Sequence, residues 1–246
     1  MEKDTEEWFR NWFDSPYYHL LYKHRDEDEA RSFLDHLLAN LHLPENADLL
    51  DIPCGRGRHA IYLESKGFRV RGMDLSPANI RVAEAFASKN LQFYVHDMRQ
   101  HIGSNMYHGI FNLFTSLGYF KWAHENLMVL KNMVAALKTD GYLVIDFFNA
   151  EKLSNDFQPQ TTREVDGITF HIQRRKKGQR MIKDIRFTAN NRNFHYEENV
   201  LMISKAQFES WFAAANLHID AVYGSYDLQT FMPESSERLI FILRKK

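Results

Sequence analysis

The sequence predicts an α/β fold: a mostly parallel sheet of seven strands with helices on both faces, an inserted antiparallel β cap and an N-terminal helical lid. Three observations carry this. Between residues 47 and 149, short apolar runs of strand length alternate with helical periods, the pattern of a parallel sheet covered on both faces. A glycine-containing turn joins the first of these strands to the first of these helices. Beyond residue 160 the alternation stops, and two strand-like runs flank Lys176-Lys177-Gly178 as a hairpin would.

Each element follows from local chemistry. Residues 1–45 read as helical and rich in aromatic and charged side chains; Phe33, Leu34, Leu37 and Leu38 share one helical face, and Leu43-Pro44-Glu45 ends the stretch. Leu49-Leu50-Asp51-Ile52 is the first strand, Arg58 to Lys66 a helix stopped by Gly67, and Phe68 to Asp74 the second strand. Ser76-Pro77 opens the next helix, with serine as its cap and proline in the first turn. Strands follow at Leu91–Val95 and Ile110–Phe114, a long helix at about 122–138, and a fifth strand at Gly141–Phe147. The insert holds strands at 167–175 and 180–187, with more at Phe194–Glu197. A helix at about 205–215 and strands at Leu217–Tyr223 and Arg238–Leu243 complete the sheet. The expected organisation is one domain over 1–246, with a lid at 1–45, a core at 47–150 and 204–246, and a cap at 151–203.

Composition narrows the function. The chain has 246 residues, 31 Lys plus Arg against 32 Asp plus Glu, and one cysteine. One cysteine excludes a disulfide framework or a four-cysteine metal site within the chain. A net charge of −1 argues against binding held mainly by phosphate contacts. Met1 to Glu7 is charged and lacks a signal-peptide core, and no apolar stretch is long enough to span a bilayer, so the expectation is a cytoplasmic protein without a membrane partner. The twelve histidines include no metal-binding spacing, so no metal is expected.

The sharpest local signal is Leu50-Asp51-Ile52-Pro53-Cys54-Gly55-Arg56-Gly57-Arg58-His59, a strand, a glycine turn and a helix start, where backbone N–H groups are free to meet a ligand. Asp74 ends the second strand about twenty residues on, where a doubly wound fold places a ribose-binding carboxylate. Asp97 follows the third strand. The third glycine of a dinucleotide fingerprint is missing, as is the Gly-Lys-Ser/Thr of a nucleoside-triphosphate loop.

Asp51-x-x-Cys54-Gly55-x-Gly57, Asp74 and Asp97-Met98-Arg99 resemble the first three motifs of class I S-adenosylmethionine-dependent methyltransferases. Asn112 to Phe120, Tyr223-Gly224-Ser225-Tyr226-Asp227 and Ser236-Glu237-Arg238 are similar to a small-molecule branch that includes amino-sugar N-methyltransferases. Pro53, Asn112 and Thr139-Asp140 depart from the usual residues, and the proline removes one N–H. The resemblance implies a Rossmann-like fold and S-adenosyl-L-methionine as cofactor. It implies that Asp51, Pro53, Cys54, Gly55 and Gly57 hold the methionine end, Asp74 the ribose, and Leu75, Asp97 and Met98 the adenine. Thr115, Ser116 and Tyr119 follow the fourth strand where the methyl points, Thr115 counted with the cofactor and the other two with the substrate. Arg238 is a further substrate candidate, steering an acidic acceptor or pairing with Asp227.

The branch carries a tyrosine near the methyl on an N-terminal segment that closes over the cofactor, a role for Tyr17 or Tyr22. His195 is the remaining catalytic candidate, facing the acceptor or lying on the surface of a strand. The expected function is methyl transfer to N or O of a small-molecule acceptor. Two rivals stand beside it: an RNA methyltransferase using the basic run at 174–177, and a module that binds S-adenosylmethionine without catalysis. A homodimer is left open.

Overall fold

The computed structural model describes residues 7–23 and 27–246; residues 1–6 and 24–26, within the predicted N-terminal helical stretch, lie outside the described residues. That stretch is three helices, α1 (Trp8–Phe13), α2 (Pro16–Leu21) and α3 (Glu27–Asn40). Ser15 starts α2, its hydroxyl accepting the Tyr17 N–H at 3.2 Å, with Pro16 in the first turn.

The core then runs β1 (Asp48–Asp51), α4 (Arg58–Ser65), β2 (Arg69–Asp74), α5 (Pro77–Ala83), β3 (Leu91–Val95), β4 (Tyr107–Asn112), α6 (Ala123–Ala136) and β5 (Leu137–Phe148). After a short α7 (Ala150–Asn155) come β6 (Gln160–Val165), β7 (Ile168–Lys177), β8 (Arg180–Ala189) and β9 (Arg192–Leu201). The chain closes with α8 (Lys205–Ala214), β10 (Leu217–Tyr223) and β11 (Arg238–Lys245).

Seven strands form one sheet in the order β10-β11-β5-β4-β1-β2-β3. β11 runs antiparallel to both its neighbours, and the other pairings are parallel. Consecutive β1 residues serve opposite faces, as a strand period of two requires: Leu49 packs with Phe33, Leu63 and Phe111 on one side, and Leu50 with Ile110, Val129 and Phe241 on the other.

The insert is a separate four-stranded antiparallel sheet in the order β6-β7-β8-β9. Its inner face, Phe170, Ile172, Ile185 and Phe187, packs on Trp12 of α1 and Leu21 of α2. β6 is absent from the sequence expectation because Gln160-Thr161-Thr162-Arg163-Glu164 offers no apolar alternation; it is an edge strand paired to β7 alone. The helix expected to reach 138 stops at Ala136, where the backbone turns extended at Leu137 and joins β5. Among the described residues, no helix is long and apolar enough to cross a membrane.

Candidate functional site

A cavity of about 540 Å³ lies at the C-terminal ends of β1, β2, β3 and β4, beneath α1 and α2. Its floor is backbone. Gly55, at φ 55°, points toward space that a Cβ would meet empty, and Gly57, at φ 86°, caps α4 where a Cβ would strike the Phe93 ring at 2.8 Å. Asp74, buried at the end of β2, ties two loops together: one oxygen accepts the Gly55 N–H and the other the Ser76 N–H, each at 2.8 Å. Burial pushes its carboxyl up, opposed by those two N–H groups.

The roof is α1 and α2, and side chains hold it. Ser76 donates its hydroxyl to Asp14 at the end of α1. His19 donates to Asn79 Oδ1 at 2.8 Å, and Asn79 Nδ2 donates to the Phe13 carbonyl at 3.3 Å. Burial, with Arg56 nearby, drives the His19 imidazole down to about 4, so it is neutral at physiological pH. At the rim, Arg99 joins Asp97 (2.7 Å), Glu7 (2.5 Å) and Glu125 (3.1 Å). Asp97 borders the cavity, and its carboxyl lies below the usual range because Arg99 and Arg10 outweigh its burial.

The loop after β4 forms the side wall. Phe114 and Thr115 are both left-handed, at φ 58° and 61°, a conformation non-glycine residues adopt only under constraint. Asp146, fully buried on β5, supplies the constraint by accepting the Phe114 N–H at 2.9 Å, and its backbone carbonyl takes the Thr115 N–H. The turn puts Phe114 in the cavity wall, stacked on His59 with Arg58 4.8 Å above the ring.

The cavity brings together Pro53, Cys54, Gly55, Asp74, Leu75, Asp97, Met98, Ser116, Tyr119 and Tyr22 from the sequence expectation. Six expected residues lie elsewhere. Asp51 is buried beneath the loop, with one oxygen unpartnered and 4.0 Å from His59 Nδ1, and burial pushes it up to about 8. Gly57 shapes the floor from below. Thr115 turns its hydroxyl to Arg238 at 3.2 Å, and Arg238 pairs with the buried Asp146 at 2.7 Å. Tyr17 packs against Phe187 and Phe194 of the second sheet. His195 is 52% exposed and pairs with Asp184 on that sheet's outer face, the surface position that was its alternative.

Sequence reasoning missed Asp14, His19, Asn79 and Phe114. Their partners lie tens of residues away, and a local pattern carries no trace of them. Arg56 and Arg58, which also line the cavity, flank Gly57 and were within reach of a closer reading of that loop.

A family model described as a methyltransferase domain matches residues 22–222. The chain belongs to this methyltransferase family. The methyltransferase is 25% identical over 218 residues to the dTDP-3-amino-3,6-dideoxy-alpha-D-glucopyranose N,N-dimethyltransferase of Streptomyces fradiae, covering 84% of each chain. It is 31% identical to YqeM of Bacillus subtilis over 127 residues, 50% of this chain and 51% of that protein, so this match spans about half the relative's length. Its fold superposes on an S-adenosylmethionine-dependent methyltransferase from Clostridium acetobutylicum with a TM-score of 0.81 at 19% identity, covering 96% of this chain and 98% of the other.

Proposed function

We propose that the methyltransferase transfers the methyl group of S-adenosylmethionine to the nitrogen of a small-molecule amine, of the amino-sugar kind named for the Streptomyces fradiae relative. The observation that carries this is the roofed cavity: strand-end loops with a buried carboxylate below, two aromatic-rich helices above, and room of about 540 Å³ between. The residues present fit the donor. Gly55 leaves backbone free to approach a ligand, Asp74 offers its remaining lone pairs to a diol, and Leu75 and Met98 provide apolar flanks.

When bound, S-adenosylmethionine supplies a methyl carbon on a positively charged sulfur, already activated for displacement. The chain's task is then to align, to dry the site and to stabilise charge. Phe9, Phe13, Phe114, Tyr119 and Phe120 line the cavity, excluding water and offering aromatic faces to a cation. Asp74 and the Gly55 turn would hold the donor's ribose and methionine parts, with Asp97 and Met98 at its base.

The closed roof supports a small acceptor over RNA. So does the fate of the basic run: Arg174 donates to Gln158 O and Thr161, Arg175 pairs with Asp184 and Glu197, and Lys176 donates to Ser154. We read the chain as one catalytic domain over 1–246, with lid, core and cap bounded as the sequence suggests, acting in the cytoplasm, where the buried thiol of Cys54 stays reduced.

The test is mass spectrometry of reactions containing S-adenosylmethionine and dTDP-3-amino-3,6-dideoxyglucose or free aminodeoxy sugars. Methylation of the amine is the expected result. Transfer to RNA or to none of the amines, with donor binding intact, would overturn the acceptor assignment.

A further inference from the structure

The seven-stranded sheet is not covered evenly. The connections from β1 to β2, β2 to β3 and β4 to β5 carry helices α4, α5 and α6, whereas the connection from β3 to β4, residues 96–106, carries none. Val70 of β2 and Leu91 and Phe93 of β3 pack among the side chains of α3, α4 and α5. By the strand period of two, Arg69 and Arg71 of β2 and Gln92 and Tyr94 of β3 point to the opposite face, which the helix-free connection leaves open.

On that open face lies a groove of about 510 Å³, at the amino ends of β1, β2, β3 and β4 and so at the far end of the sheet from the roofed cavity. Among the described residues its charged lining is four cations, Arg69, Arg71, Lys89 and Lys138, and one carboxylate, Asp48. Arg69 and Lys138 both bond that carboxylate, at 2.8 and 2.9 Å. Arg71 is held differently: its Nη1 donates to the Tyr107 hydroxyl at 3.4 Å, and its guanidinium lies 5.9 Å from the ring centre. Lys89 stands exposed in the turn before β3. Among the described residues, no carboxylate forms an ion pair with Arg71 or Lys89.

A sheet face that only has to stay wet is served by charges of both signs. Like charges gathered over one groove repel one another until an anion joins them. The carboxyl end of α6, which would oppose an anion here, is already capped: the Asn105 and Met106 N–H groups donate to the Ala135 and Ala136 carbonyls at 2.9 and 2.8 Å. The same two bonds fix the loop that walls the groove.

We propose that this groove is a second binding site, for a small molecule carrying a diphosphate. Arg71, fixed against Tyr107, presents its remaining N–H groups as a planar fork that matches two phosphate oxygens, and Lys89 brings a flexible point charge to the neighbouring phosphate. Gln92 accepts the Tyr94 hydroxyl through Oε1 at 2.6 Å, which leaves its amide N–H groups for the ligand's organic part, beside Asn90 and Asn105. The cations are confined to one groove of a chain whose net charge is −1, which favours a small ligand over the extended phosphate track of a nucleic acid. This site is separate from the methyl-transfer reading and stands if that reading falls.

The test is calorimetric titration of the full chain with inorganic pyrophosphate and with cytidine diphosphate, at low salt, beside Arg71→Gln and Lys89→Gln. One site per chain is expected, with affinity falling as salt rises. Lys89→Gln changes an exposed side chain without touching the core and should weaken binding about five-fold, and Arg71→Gln about ten-fold or more. Asp74→Ala should leave this binding unchanged, which separates the groove from the roofed cavity. Cytidine diphosphate is expected to bind the tighter of the two, because the amides then take part; equal binding keeps the site and reduces its ligand to inorganic diphosphate. The proposal is overturned by no binding of either probe at millimolar concentration, by binding that both substitutions leave untouched, or by a single-stranded RNA that binds where neither diphosphate does.

Discussion

The floor and roof of the cavity are built by opposite means. The floor is a set of strand-end turns of the parallel sheet, and its decisive contacts are backbone ones: Gly55 and Ser76 N–H on Asp74, Phe114 and Thr115 N–H on Asp146. The roof is two six-residue helices seated through side chains, Asp14 on Ser76, His19 on Asn79 and Tyr22 on Glu198. Helices this short have no stability of their own, so the roof's position is set by what it touches. Changes in the floor should therefore appear as lost stability, joined by lost affinity where the residue also meets the ligand, and changes in the roof as lost affinity with the fold intact.

The largest effect is expected at Arg238. Arg238→Ala leaves the fully buried Asp146 carboxylate without its cation, costing about 3–5 kcal/mol and lowering Tm by roughly 10 °C. If calorimetry shows Tm unchanged while acceptor KM rises, Arg238 belongs to the substrate and the comparison breaks. Next comes Asp51. Its folded carboxyl is raised to about 8, so it keeps a proton that the unfolded chain gives up near pH 4. Its contribution to stability is full below about pH 4 and is lost as pH climbs toward 8. Asp51→Asn should leave Tm nearly unchanged at pH 4 and raise it at pH 8 by an amount of the same order as the Arg238 loss, roughly 10 °C.

The roof predictions are smaller. Asp14→Ala removes one hydroxyl contact worth about 1 kcal/mol, so S-adenosylhomocysteine affinity should fall roughly five-fold with Tm nearly unmoved. For His19 the folded imidazole is depressed to about 4 from an ordinary value near 6.5. The closed roof is therefore fully stable above about pH 6.5 and loosens as pH falls toward 4. Affinity measured across that window should decline in the wild type and stay flatter in His19→Gln.

The same contrast explains what the sequence revealed. The parallel sheet and its floor were legible because strand, turn and cap signals are local: Ser76-Pro77 announces α5, and Gly55 and Gly57 announce a turn that only glycine accommodates without strain. The roof was legible only as helix. Nothing in Ser15-Pro16-Tyr17-Tyr18-His19 says that His19 reaches Asn79, sixty positions away. Thr115 and Arg238 were read as ligand-facing because both stand at strand ends, yet each is used by Asp146 to hold the turn that presents Phe114. His195 pairs across the second sheet with Asp184, and its strand register turns it away from the cavity.

The most direct test is calorimetric titration of S-adenosylhomocysteine into the wild type and Asp74→Ala at matched pH and salt. One site per chain is expected in the wild type, with an affinity at least a hundred-fold weaker in the variant, about 3 kcal/mol for a charge-assisted contact made with the two loops it ties. Equal affinity in the two proteins, or no binding to the wild type at millimolar ligand, would contradict it.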